Sequence, residues 1–315
     1  MKRYRFGLSI VLLSGLLIGN FHLTPATAQP LVDAVWLARH LTDDHLVVLD
    51  IRNQIDGGSQ AVYEAGHIPG AVYSNYLTAG WRVTKDGIPG MLPPIEHLEQ
   101  LIGGLGISNQ THVVIIPGGV SALDYGSATR VYWTFKVIGH QAVSILNGGY
   151  AGWIKNADRP VETGINTPPA TPFKAALQSQ WLATRADVSR AVQSGVALID
   201  NRPPAQFEGQ QKHPAAKRFG ALPHAANIPQ DVFFNSDTGQ FASQTELAQL
   251  WAQHGIAKDD IQITYCNTGH WASLGWFAAS ELLGHAKAAL YDGSMTEWTA
   301  HDKLPMMHTT HPLRQ

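Results

Sequence analysis

One cysteine, Cys266, stands in a chain of 315 residues, and its neighbours make it a candidate for chemistry. The apolar run Ile261-Gln-Ile-Thr-Tyr265 reads as a buried strand, Cys266-Asn-Thr-Gly269-His-Trp271 as a tight loop, and a helix is predicted from near Ala272. A thiol in such a loop meets successive peptide N–H groups and the positive end of the helix dipole. Both favour a thiolate, or a persulfide anion carried on the same sulfur. A lone cysteine is also at home as a small buried hydrophobe; its place at the loop mouth, not mid-strand, favours the reactive thiol. Asn267, Thr268, Gly269, His270 and Trp271 are then candidate substrate-binding residues. His270 is the loop's one side chain able to become cationic, and with an ordinary pKa of about 6.5 it is expected to be partly protonated near neutrality. It could assist anion binding, donate a proton or simply close the loop. Trp271 could wall the pocket, although core packing suits it better.

Other chemistries fit poorly. A cysteine phosphatase needs Cys-x5-Arg, and the sixth residue after Cys266 is Ala272. A metal site through Cys266 and His270 lacks further ligands at suitable spacing, because the 15 histidines are scattered apart from His308 and His311, so no metal is expected. Gly104-x-Gly106 continues to Asn109 instead of a third glycine, so the dinucleotide fingerprint fails, and no cofactor is expected. A formal charge of −2 without long runs of either sign argues against nucleic acid as a partner.

The elements that must position Cys266 come in duplicate. Leu46-Val-Val-Leu-Asp50-Ile-Arg52 returns as Val196-Ala-Leu-Ile-Asp200-Asn-Arg202, and Gly66-His-Ile-Pro69-Gly-Ala71 as Gly220-Ala-Leu-Pro223-His-Ala225. His112 to Ile116 lines up with Ile261 to Tyr265, Gly139-His140 with Gly284-His285, and Leu146-Asn-Gly148 through Trp153 with Tyr291-Asp-Gly293 through Trp298. Five collinear landmarks imply a duplicated domain, with a period too long for a solenoid. Short apolar strands alternate with helical patterns such as Thr245 to His254 and Ala272 to Leu283, stopped by Gly255 and Gly284. The expected class is α/β: two domains, each a mainly parallel sheet with helices on both faces. With 44% hydrophobic residues the chain can fill two cores.

Boundaries follow from composition. Lys2, Arg3 and Arg5, the apolar run Phe6 to Ile18 and Ala26-Thr-Ala28 read as a signal peptide over 1–28, too short to span a bilayer. Its removal leaves a mature net charge of about −5. The mature protein is expected to be periplasmic or secreted, off the membrane, with Cys266 resting partly as persulfide or an oxidised form. The first domain is expected over 29–162, a Pro/Thr/Gly-rich linker over 163–176, the second domain over 177–303 and a tail over 304–315.

Asp200-x-Arg202, Gly220-Ala-Leu-Pro223-His-Ala-Ala-Asn227-Ile-Pro229, the Cys266 loop and Leu290-Tyr-Asp-Gly293-Ser294-Met-Thr-Glu-Trp298 together resemble the tandem-domain rhodanese sulfurtransferases. The resemblance covers Leu31 to Trp298. It implies that the second half is catalytic and the first, with Pro117 opposite Cys266, is a noncatalytic wall of the cleft. It implies a ping-pong reaction: the Cys266 thiolate takes the sulfane sulfur of thiosulfate and passes it to cyanide or a thiol. Arg202 matches the family's Asp-x-Arg arginine and is expected to hold the donor's oxyanion, or else to form an ordinary ion pair with Asp200. Asn267 and Thr268 stand where thiosulfate-specific relatives carry Arg or Lys and mercaptopyruvate-specific ones carry small residues. A 3-mercaptopyruvate sulfurtransferase, or a sulfur carrier serving a protein acceptor, is therefore the alternative.

Overall fold

The structure is a computed structural model that describes residues 28–307. Seven strands fall in the first half: β1 Leu31–Val32, β2 Leu46–Asp50, β3 Val72–Tyr73, β4 Val83–Lys85, β5 Ile88–Met91, β6 His112–Ile116 and β7 Val143–Leu146. Seven follow in the second: β8 Leu182–Ala183, β9 Ala197–Asp200, β10 Ala226–Asn227, β11 Phe234–Asn235, β12 Gln240–Phe241, β13 Gln262–Tyr265 and β14 Ala288–Tyr291. The first sheet runs β1-β7-β6-β2-β3 and the second β8-β14-β13-β9-β10, every pairing parallel. The two orders superimpose strand for strand, so β6 and β13 are equivalent central strands. β6 is nearly all apolar, as a strand covered on both faces requires, and β13 is as buried with the side chains of its Gln262 and Thr264 hydrogen-bonded to Trp251, His285 and Ala272 O.

Each half also sends an antiparallel hairpin toward the other. β4–β5 belongs to the first half, and the Leu92 amide just after it donates to Asp292 Oδ2 at 2.6 Å. β11–β12 belongs to the second, and Phe241 N donates to Asn147 Oδ1 at 2.9 Å while Tyr125 Oη donates to Gly239 O at 3.1 Å.

Between the sheets lies the helix Ala122–Val137, buried at every position from Asp124 to Val137. It packs against Ala272–Trp276, which continues as a π-helical stretch over Phe277–Leu282 where a plain helix is expected from the sequence. Tyr132 meets Phe277 edge-on at 4.8 Å, and Thr129 Oγ1 and Ser273 Oγ share a hydrogen bond of 2.7 Å. One apolar cluster accordingly runs through both halves, from Ile115 and Trp133 to Trp276 and Leu290. Helix residues Arg130 and Lys136 are buried because each finds an acid across the interface: Asp292 at 2.5 Å and Glu281 at 3.2 Å.

The Pro-rich stretch 163–176 forms no strand or helix but is stitched to the first half. Thr171 N donates to Gly103 O, and Ala176 N to Ile138 O. The signal-peptide reading and the His308 and His311 pair fall on residues 1–27 and 308–315, outside the described residues.

Candidate active site

Cys266 follows β13, and the loop it opens is pinned from below by one hydroxyl. Ser294 Oγ accepts the amides of Cys266 at 3.1 Å and Gly269 at 3.2 Å, and donates to Tyr291 O at 2.8 Å. Ser294 itself sits at φ +47°, a left-handed conformation costly for a non-glycine residue and held by these bonds. Met295 N closes on Cys266 O, and Thr296 N and Oγ1 on Asn267 O. Gly269 is required at φ +74°: a Cβ there would collide with Arg130 Nη1 and lie 2.9 Å from Asp292 O.

With the Cys266 and Gly269 amides given to Ser294, the amides of Asn267, Thr268, His270 and Trp271 donate to no protein acceptor among the described residues. Successive unclaimed N–H groups form an anion-binding concavity. Cys266 is only 1% exposed, yet it lines a pocket of about 190 Å3 together with Asn267, Thr268, His270, Trp271 and His213 from the second half and Ile55, Arg82 and Leu123 from the first. The sulfur thus lies at the bottom of a small cavity and not at an open loop mouth.

The other half holds this loop by its carbonyls. Arg82 Nη2 donates to Thr268 O at 2.6 Å, and Arg130 Nη1 to Gly269 O at 3.2 Å. Both guanidiniums also grip Gly90 O, in strand β5, at 3.1 Å each. Carbonyls that turn toward cations turn their amides the other way, so the first half helps to orient the loop.

One expectation needs correction. His270 is not a cation: burial, then Arg82 and Arg130, push its pKa down to about 3. Its Nε2–H donates to Leu123 O at 2.9 Å, which leaves Nδ1 to accept from Tyr76 Oη at 2.7 Å. Both partners belong to the first half, so His270 lines the pocket as a neutral strut between domains.

Arg202 forms the ion pair with Asp200 that the sequence left open as its second role, and it does not line the Cys266 pocket. It is buried beside Asp200, to which Nε donates at 2.9 and 3.1 Å, and its Nη2 donates to Gly220 O at 3.0 Å. Arg52 repeats this in the first half, with Nε on Asp50 at 3.0 and 2.9 Å and Nη2 on Gly66 O at 2.8 Å. A clamp present in the half without a cysteine serves the fold, tying a strand end to the returning chain. It also commits Nε and Nη2 of the arginine to the fold.

Asn267 and Trp271 do face the cavity. Asn267 Nδ2 donates to Gln206 Oε1 at 2.8 Å, whereas its Oδ1 and Trp271 Nε1 are buried without a partner in the protein. Thr268 contributes its backbone and a partly exposed side chain. Arg82, Arg130, Tyr76 and His213 escape sequence reasoning because they lie far from Cys266 in the chain and form no motif. The one available signal was a pair of basic residues, Arg130 and Lys136, inside the largely apolar stretch 122–137.

Comparison with known proteins agrees with this arrangement. The family model for a rhodanese-like domain matches twice, over residues 33–156 and 183–301. A putative thiosulfate sulfurtransferase of Haloferax volcanii is 35% identical over 282 residues, covering 85% of this chain and 92% of its own. The thiosulfate sulfurtransferase of Rattus norvegicus is 34% identical over 281 residues, covering 86% and 92%, and the sulfur carrier protein TtuD of Thermus thermophilus 32% over 290, covering 87% and 94%. Among solved structures, SseA of Escherichia coli, described as a 3-mercaptopyruvate sulfotransferase of rhodanese fold, matches with TM-score 0.73 and 29% identity over 85% of this chain and 99% of that one. With two rhodanese-like domains, a shared strand order and one cysteine at the end of the second central strand, the chain belongs to the rhodanese family.

Proposed function

We propose that the protein is a thiosulfate sulfurtransferase working through a persulfide on Cys266. The observation that carries this reading is the juxtaposition of the chain's one thiol with four unclaimed backbone amides at a small pocket. The Cys266 thiolate attacks the outer sulfur of thiosulfate. The S–S bond of the donor breaks, its electron pair leaves on sulfite, and the sulfur stays as Cys–S–S−. Cyanide or a thiolate then attacks the outer sulfur, the enzyme S–S bond breaks, and its electrons restore the cysteine thiolate. No external redox partner enters, and the negative charge stays at one place throughout, where fixed amide dipoles stabilise each anion without reorganising. The test is turnover of thiosulfate and cyanide to thiocyanate by the purified protein, with one sulfur's mass added to Cys266 when acceptor is withheld.

A second donor, 3-mercaptopyruvate, is supported by the match to SseA and by a loop whose Asn267 and Thr268 carry no charge. Side-by-side kcat/KM values for the two donors decide between them. Likeness to a sulfur carrier supports a protein acceptor for the second step. We further propose export to the periplasm or outside, on the basic start and apolar run of the first 28 residues. Intact mass of the exported protein, before and after reductant, reads both the cleavage point and any persulfide or oxidised thiol at rest.

A further inference from the structure

We propose that Arg82 and His213, one from each half, form the oxyanion clamp of the Cys266 pocket and hold the charged end of a small anionic sulfur donor. The inference rests on the sulfur-transfer reading and adds side-chain donors inside the Cys266 pocket, which Arg202 does not line. Both residues line the cavity with Cys266. Arg82 gives Nε to Gly90 O and Nη2 to Thr268 O and lies beside the Tyr76 hydroxyl, and no carbonyl or carboxylate among the described residues accepts from Nη1. A guanidinium held by two of its nitrogens keeps its third fixed in direction.

His213 reaches the same cavity from the loop after Pro204–Phe207. Its Nδ1 accepts the Ala215 amide at 3.2 Å, which places the ring hydrogen of the neutral form on Nε2, where no protein acceptor competes for it. Burial, then the charges of Arg82 and Lys212, lower its pKa from the ordinary value. The neutral ring, which these neighbours favour, presents Nε2–H as its donor. Lys212 itself is turned away, donating to Ala216 O at 2.8 Å. Thus Arg82 Nη1 and His213 Nε2 supply side-chain N–H donors to a pocket that already holds unclaimed amides and an unpartnered Trp271 Nε1. Every one of these groups seeks an acceptor. A ligand whose far end is a compact oxyanion, such as a sulfonate, satisfies them while its sulfane sulfur meets Cys266.

The experiment measures how well sulfate, which cannot transfer sulfur, protects Cys266 of the full chain from alkylation by neutral iodoacetamide, beside KM and kcat for thiosulfate. The expected result is protection of the unaltered protein. His213→Phe should weaken protection and raise KM by about tenfold with kcat little changed, the worth of one hydrogen bond to an anion. His213→Gln, which can restore an N–H near the Nε2 position, should recover most of both. Thermal melts of both variants report folding. Absence of protection in the unaltered protein, unchanged protection in His213→Phe, or equal loss in the Phe and Gln variants would each overturn the clamp. Protection without any persulfide on thiosulfate would leave the clamp standing and remove the sulfur-transfer reading instead.

Discussion

Two loops leave the two central strands at equivalent points and meet the same demand differently. After β6 the chain turns through Pro117-Gly-Gly-Val-Ser121, and the amides of Gly118, Gly119 and Val120 all donate to the carboxylate of Asp124, at 3.0, 2.5 and 3.1 Å. After β13 it turns through Cys266 to Trp271, and four amides are left open beside a sulfur. The first loop is a cradle closed on its own carboxyl group; the second is a cradle kept open for a passing anion. The half without a thiol thus supplies an acceptor of its own, since buried amides without one are costly.

The largest way to break this contrast is Cys266→Ser, which is expected to abolish turnover and the added sulfur mass while leaving the melting temperature close to that of the parent. Retained activity in that variant would dissolve the difference between the loops.

Next comes Arg130→Met. It removes the cation that Gly269 O, Gly90 O and the buried Asp292 share, and leaves that acid unpaired. A loss of about 3–5 kcal/mol in urea unfolding is expected, together with reduced activity, because a buried charge loses its partner.

Asp124→Ala sharpens the comparison. Orphaning three amides should cost about 1–3 kcal/mol, and millimolar sulfate should return part of that by entering the vacated cradle, a rescue absent from the parent at this loop. Melting temperature against sulfate concentration in both proteins reads the difference.

The smallest effect concerns pH. His270 titrates near pH 3 and His140 near 4 in the folded chain, both below the unfolded value because of burial. The unfolded state binds these protons first, so stability is fully present above about pH 6.5 and falls as pH drops toward 4. Asp124, raised to about 7 by burial and by Asp56, works oppositely: its contribution is largest at low pH and shrinks as pH rises through 7. Exchange of His270 for Gln should flatten the acid limb by up to one proton's slope in urea midpoints taken between pH 6.5 and 4.

Much of the architecture was legible in the sequence because it is local. Apolar runs, Gly stops and the recurrence of five landmarks mark the strands and the duplication, and the position of Cys266 after Tyr265 marks the loop. What lay hidden depends on contacts across the interface. Tyr76 meets His270 over 194 positions, and Arg82 meets Thr268 over 186; residue type alone carries no sign of such a meeting. His270 looked titratable because a free imidazole is, and only its enclosure between Tyr76, Leu123 and two arginines makes it neutral. For Arg202 the sequence already held a clue to the ion pair that the structure shows. The same Asp-x-Arg occurs at Asp50 and Arg52, in the half without a thiol, and a motif shared by both copies points to what both copies have in common, namely the fold.

The reciprocal hairpins carry a consequence for how the two copies can change. β4–β5 shapes the neighbourhood of Asp292 and the Cys266 loop, while β11–β12 seats against Asn147 and Tyr125. Each copy therefore contains a piece of its sibling's interior, and neither can be severed or swapped for a second version of the other without leaving buried polar groups stranded. Such a chain should melt in a single step, and its drift over generations should be paired, a change in one hairpin answered by a change in the opposite half.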